Sequence, residues 1–235
     1  AFAAIDKAKA NIEKNIENAR ELFQSKLDEV FGEKGEGWRD ARFGDVCGFV
    51  RGPFGGSLKK AIFIEKGFAV YEQQHAINNQ FKNIRYFISE EKFNEMKRFE
   101  LKPNDLIMSC SGTMGRVAIV QEDVKPGIIN QALLKLTPES VLDVEYLKLW
   151  MQSNHFVNEI DKHSKGAAIK NIASVKVLKE IKVPLPSVSK QKDIVDSINE
   201  LSQGINSIVQ NYQMKLELLE ELKKSILEKA FNGEL

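Results

Sequence analysis

Asn11–Phe31 reads NIEKNIENARELFQSKLDEVF, and Asn211–Phe231 reads NYQMKLELLEELKKSILEKAF. Set over one another without gaps, the pairs Asn11/Asn211, Glu17/Glu217, Glu21/Glu221, Leu22/Leu222, Ser25/Ser225, Leu27/Leu227 and Phe31/Phe231 are identical. Ile16/Leu216 and Asp28/Glu228 are conservative. Repeats usually mark stacked units of short period. Here a long insert separates the copies, so they read as helices that pair with each other or dock onto equivalent partners.

Around the first copy, Ile5, Ala8, Ile12, Ile16, Ala19, Phe23, Leu27 and Val30 step by three or four, which is one helical face. Gly32–Gly37 (GEKGEG) holds too many glycines to continue it. Around the second, the same stripe runs through Ile194, Ile198, Leu201, Ile205, Ile208, Tyr212, Leu216, Leu219, Leu222, Ile226 and Ala230. A helix from Lys190 to Phe231 is roughly 60 Å long at ~1.5 Å per residue, and near-heptad spacing over that length predicts a coiled-coil seam. Ser187 or Ser189 can cap its start, after the proline-bounded Ile181–Pro186 (IKVPLP).

Between the helices the element type changes. Ala61–Ile64, Phe68–Tyr71, Leu106–Ser109, Val117–Val120, Ile128–Ile129 and Ala132–Leu136 read as strands, and Glu90–Phe99 and Val144–Asp161 as helices. The fold class is therefore α+β, with one mixed domain between two long helices. The expected division is helix 1–32, linker 33–37, globular domain 38–188 and helix 189–235.

Charge follows this division. Residues 35–188 hold 22 Lys+Arg against 18 Asp+Glu, whereas the two ends together hold 12 against 15. A mildly basic middle permits a nucleic-acid partner without requiring one. No apolar run reaches the ~18 residues that span a bilayer. Cys47 and Cys110 stand apart with no CxxC or Cys/His cluster, which reads as a reducing, cytoplasmic setting without zinc. The opening Ala-Phe-Ala-Ala is not a signal peptide and reads as a fragment of a longer chain, or a trimmed one.

Catalytic constellations are missing from the sequence. There is no GxxxxGK[ST] for a nucleotide phosphate, and no Asn/Asp-Pro-Pro-aromatic tetrapeptide for adenine methylation. Asp105, Glu122 and Asp123 are the nearest to a Mg²⁺ set, but no lysine follows at nuclease spacing. His75, His155 and His163 lie far apart, and His155 reads as a half-buried structural residue.

Four polar segments remain. Ser109–Arg116 (SCSGTMGR) follows a strand and fits a nucleophile turn, an anion or DNA contact, or a plain turn; no histidine stands nearby as base. Arg51–Lys60 (RGPFGGSLKK) and the amide-rich Glu72–Gln80 fit DNA contacts, since Lys and Arg match guanine and Gln and Asn match adenine, but they also fit solvated loops. Ser164-Lys165-Gly166 with Lys170-Asn171 makes a third such loop. The candidate DNA-binding residues are Ser57, Lys59, Lys60, Gln73, Gln74, His75, Asn78, Ser109, Ser111, Thr113, Arg116, Lys165 and Lys170, with no catalytic or metal residue.

The order of motifs resembles the specificity subunit of type I restriction–modification enzymes. Trp38 precedes Phe43-Gly44-Asp45-Val46, where the family has an LGDV-like segment. The glycine-rich turn Phe54–Lys60, the strand and turn Asn104–Arg116, Asn130–Leu136 (NQALLKL) and Val183–Val195 follow in the family's order. Lys190-Gln191 stands where Glu-Gln is usual, and Leu222–Leu235 is typical of the family's C-terminal helix. The resemblance implies a target recognition domain flanked by conserved helices that pack as an antiparallel coiled coil. It implies double-stranded DNA, methyltransferase (modification) subunits and a restriction/translocase subunit as partners. Methyl donor, ATP and Mg are then expected only in those subunits, with no cofactor and no bond chemistry in this chain. A single recognition domain departs from the usual two and implies half of a split site, with a possible homodimer through the helices. The readings set against it are a coiled-coil adaptor whose middle binds a protein, and a stand-alone DNA enzyme.

Overall fold

The computed structural model describes residues 2–164 and 174–233. In chain order they form α1 (Phe2–Gly32), β1 (Arg39–Arg42), α2 (Phe43–Val46), β2 (Cys47–Arg51), β3 (Phe68–Tyr71), α3 (Gln73–Ile77), β4 (Tyr86–Ile88), α4 (Glu90–Glu95), β5 (Leu106–Ser109), β6 (Val117–Ile119), β7 (Gly127–Ile129), β8 (Leu133–Pro138), α5 (Val144–Gln152), α6 (Asn154–Ser164), α7 (Val175–Glu180), β9 (Lys182–Leu185) and α8 (Val188–Phe231). Short 3-10 turns stand at Gly55–Leu58, Lys60–Ile62 and Lys97–Phe99. Two compact units result, one of Ala1–Glu29 with Asp196–Leu235 and one of Val30–Val195.

In the first unit α1 and α8 pack against each other. Lys9 pairs with Glu220, Lys223 with Asp6 at 2.8 Å, and the Asn15 amide donates to the Tyr212 hydroxyl at 3.3 Å. The position numbers of these pairs add to between 227 and 229, so the helices run antiparallel, crossing at about residues 14 and 214. A copy displaced by 200 residues in that register makes a pseudo-two-fold pair, in which Glu17, Glu21, Leu22 and Ser25 of α1 recur as Glu217, Glu221, Leu222 and Ser225 of α8 on the other side of the crossing. Ile5, Ile16 and Ile205 are buried, as the apolar stripes require. Ile208 and Leu222, counted in the α8 stripe from sequence, are instead 47% and 48% exposed.

The hydrogen bond from Lys223 holds the Asp6 carboxyl below its ordinary value, and Glu220 raises the Lys9 ammonium. By linkage, the Asp6 contribution is present at neutral pH and is lost as pH falls through the lowered value. The Lys9 contribution is lost as pH rises through the raised one.

The second unit carries a four-stranded sheet β2-β8-β5-β6, a three-stranded sheet β4-β3-β7 and the pair β1-β9. Side chains alternate across each strand. Ala69 and Tyr71 of β3 and Ile129 of β7 therefore face Ile107, Ala118 and Leu133 of the larger sheet in one core. Val70 and Ile128 point the other way and are covered by Ile88, Phe93 and Met96. A third, aromatic core forms where Phe43 meets Trp150 edge-on at 5.1 Å, with Phe49 and Phe156 beside it.

Three expected elements differ. Ala61–Ile64 is no strand: a 3-10 turn covers Lys60–Ile62 and only Ile64 bridges to Phe87, since Leu58, Ile62 and Phe63 pack onto the Val70 core. Val144–Asp161 is two helices, because Ser153 donates its hydroxyl to the Trp150 carbonyl at 2.7 Å and caps α6 instead of continuing α5. Glu72–Gln80 is not a loop throughout, since Gln73–Ile77 is the helix α3. At the start of α8 it is the Ser187 hydroxyl that accepts from the Lys190 amide, at 3.3 Å.

Candidate nucleic-acid interface

Register brings the loops together. In the four-stranded sheet Arg51 pairs with Leu134, Ser109 with Leu133 and Met108 with Val117. The end of β2, the start of β8, the end of β5 and the start of β6 thus share one end of the sheet. The parallel pair β3/β7 finishes there too, because Asn130 N donates to the Tyr71 carbonyl at 2.9 Å. Four segments emerge at this pole: Gly52–Lys60, Glu72–Gln73, Cys110–Arg116 and Asn130–Ala132. They are knitted by Gly52 N to Leu133 O at 3.0 Å and Cys110 N to Ala132 O at 2.8 Å.

The turn after β5 is closed by Ser109. Its hydroxyl donates to the Thr113 carbonyl at 2.6 Å and accepts from the Arg116 amide at 3.0 Å. Gly112 and Gly115 take positive φ of 60° and 76°, which glycine adopts without strain. The turn therefore presents Ser111, Thr113 and Arg116 outward, with Ser111 half-buried and the other two exposed. Ser109 itself is buried, so the expectation that it touches DNA is corrected, and the nucleophile alternative has no free hydroxyl: its proton and lone pair are committed within the turn. Burial pushes the Cys110 thiol up to about 11 despite the nearby Arg51 guanidinium, so it is protonated at neutral pH and a poor nucleophile.

His75 is corrected likewise. It is fully buried, its Nδ1 accepts from the Glu72 amide at 2.9 Å, and its Nε2 faces the Asn83 carbonyl at 3.2 Å. The ring completes the capping box of α3 and has no face for a ligand. Gln74 is half-buried, with its amide at 3.4 Å from Glu72 Oε2. Asn78, Ser57, Lys59 and Lys60 are exposed. The Ser57 hydroxyl donates to the Phe54 carbonyl at 3.1 Å, fixing the glycine turn. Gln73 opens α3 beside Gly112. Lys165 and Lys170 lie outside the described residues.

Three features of this pole go beyond residue type, although Gln73 was among the candidates and Arg51 opened a candidate segment. Phe54 is 69% exposed beside Arg51, whose guanidinium lies 5.9 Å from the ring. Asn130 ties the β7 end to Ala132 through its side chain at 3.0 Å. Among the described residues, Arg51 Nη1 and Gln73 Oε1 are the buried side-chain polar atoms without a hydrogen-bond partner. Such an atom costs about 1–3 kcal/mol.

The metal reading finds no support. Asp105 is buried, accepting from Lys102 N at 2.8 Å and from the Thr137 hydroxyl, while Glu122 accepts from Asn104 at 3.3 Å. No group of three or more His, Cys, Asp or Glu among the described residues is placed to hold a metal ion. His155 is exposed, not half-buried. It lines a hollow of about 520 Å³ with Phe31, Trp150 and Glu180, in which none of the candidate DNA-binding residues gathers. No described helix is long and apolar enough to cross a membrane.

The family described as type I restriction modification DNA specificity domain matches residues 35–218. The chain is 34% identical over 149 residues to the specificity subunit of the type I restriction enzyme EcoBI of Escherichia coli, covering 63% of this chain and 31% of that protein. It is 23% identical over 210 residues to the MjaVIII specificity subunit of Methanocaldococcus jannaschii, covering 87% and 48%. In fold it is similar to a chain solved for the complex assembly and conformational transition of the type I R-M system, with TM-score 0.83, 21% identity and coverage of 100% of this chain and 57% of that one. The HsdS subunit from Thermoanaerobacter tengcongensis gives TM-score 0.69, 20% identity, and coverage of 99% and 55%. The chain spans less than half the length of these two curated relatives.

Proposed function

Because this chain belongs to the family of type I restriction modification DNA specificity domains, we propose that it reads one half of a split DNA site and docks the subunits that act on that site. The convergence of four polar loops at one sheet end carries the reading. It gathers Arg51, Lys59, Lys60 and Arg116 with amide and hydroxyl side chains, the donor and acceptor mix that phosphate positioning and base readout need. The chain performs recognition, and bond chemistry with its methyl donor, ATP and Mg belongs to partner subunits.

A complex of the full chain with its methyltransferase subunits is expected to protect one DNA sequence over others. Replacing Arg116 or Lys59 by alanine is expected to weaken retention of all duplexes about equally. Removing one cation from a phosphate should reduce the salt slope of log K by about 1. Equal affinity of the unaltered complex for every duplex sinks the reading.

Docking is supported by where the helix repeat kept its identity. Asn11/Asn211, Glu17/Glu217, Glu21/Glu221, Leu22/Leu222 and Ser25/Ser225 are exposed in both copies. Leu22 and Leu222 are 56% and 48% exposed. Packing within the antiparallel pair does not demand identity at exposed positions, whereas two equivalent partners on a pseudo-two-fold pair do. Leu22→Glu and Leu222→Glu are each expected to remove one methyltransferase copy from the assembly in native mass measurements. Unchanged stoichiometry in the double variant refutes docking there.

A further inference from the structure

Resting on that DNA-reading function, we propose that Arg51 and Gln73 are specificity-determining residues that read base edges side by side next to the Cys110–Arg116 turn. Arg51 is the last residue of β2 and lies against the Cys110 thiol; Gln73 is the first residue of α3, its amide next to Gly112. Two strands' ends therefore deliver the two side chains to positions 110 and 112 of one turn.

Their unpartnered atoms differ in kind. Arg51 Nη1 is a donor, and Gln73 Oε1 is an acceptor. They do not satisfy each other. A phosphate offers only acceptors, so it would pair Arg51 and leave the amide oxygen bare. A metal ion would do the reverse. The major-groove edge of duplex DNA offers both: guanine O6 and N7 take the guanidinium, while adenine N6 or cytosine N4 donates to the amide oxygen. A base edge is thus the DNA group that relieves both atoms. Each residue as a whole is only partly buried, so part of each side chain reaches the surface of the pole. Gly112, with no side chain, leaves the approach beside Gln73 open.

The test uses the full chain co-expressed with its methyltransferase subunits, with methylated adenines mapped across the host genome. Arg51→Lys keeps the charge but not the two-pronged donor, and Gln73→Leu keeps the volume. Each is expected to degrade base preference at one position, the two positions being the same or adjacent. Methylation of sites that differ there should rise about tenfold to hundredfold, with the rest of the motif unchanged. Arg51→Ala is expected to do the same more strongly; if it fails to accumulate, the other two variants decide. An unaltered motif, or a uniform fall at every site in both variants, overturns the assignment. If the unaltered chain directs no motif at all, the DNA-reading function itself fails, a result distinct from either.

Discussion

Alanine at position 52 is expected to leave the chain unable to direct sequence-specific methylation, and to lower its thermal midpoint by roughly 5–10 °C. A Cβ built on Gly52 falls 1.8 Å from the Asn130 carbonyl oxygen and 2.5 Å from its carbon, both backbone atoms with no torsion to yield. Gly52 N also donates to Leu133 O, so β2 cannot retreat without breaking the bond that pins the glycine turn to β8. Overpacking of this sort costs about 1–3 kcal/mol or more, and for a chain of this size each kcal/mol moves the midpoint by about 2–4 °C. The functional loss follows from geometry: Arg51, Phe54 and Asn130 all hang on the strand ends that must separate.

Two controls isolate the cause. Gly48→Ala lies on the same strand, where the added carbon meets Thr137 at an ordinary 3.6 Å. Gly56→Ala meets only the flexible end of Lys59. Both are expected to keep the parental midpoint and motif. A Gly52→Ala chain with an unchanged midpoint and an intact methylation motif would refute the close approach.

The two helices were legible because a 3.6-residue period over many turns leaves little ambiguity, and Phe68–Tyr71 and Leu106–Ser109 because short apolar runs between breakers have few alternatives. Ala61–Ile64 is a similar short apolar run, yet a 3-10 turn covers Lys60–Ile62, since Ile62 and Phe63 pack onto the outer face of the smaller sheet. Arg39–Arg42 (RDAR) was unreadable as a strand: it is polar, and it is paired with β9, far along the chain. At the site, residue type pointed to the right segments but not to which members face out. Ser109 and His75 look like DNA-touching residues in sequence, yet each spends its hydrogen bonds on a turn or a cap. Arg51 looked like one more charge at the edge of a loop, and its place at the end of β2 beside Cys110 singles it out.

Gln191→Leu is expected to destabilise the globular unit more than any surface change. The Gln191 side chain is fully buried. Its oxygen accepts from Asp143 N at 2.8 Å, and its amide donates to Val141 O at 2.9 Å and to Pro186 O at 3.0 Å. Asp143 in turn caps α5, accepting from the amides of Glu145 and Tyr146 at 3.0 Å. One side chain in the first turn of α8 thus fixes both the entry to α5 and the exit from β9. Leucine fills the space but orphans one N–H and two carbonyls, each worth about 1–3 kcal/mol, so a fall of roughly 10 °C or more is expected. Gln191→Glu separates polarity from volume. Its carboxylate still accepts from Asp143 N but turns an oxygen toward two carbonyl oxygens, so it is expected to be worse than leucine at neutral pH. Protonated, it donates to one of those carbonyls, so its deficit should shrink as pH falls while that of the leucine variant does not. Thermal melts of both variants across pH decide the point: parallel pH profiles would mean that the amide's hydrogen bonds do not hold these segments together.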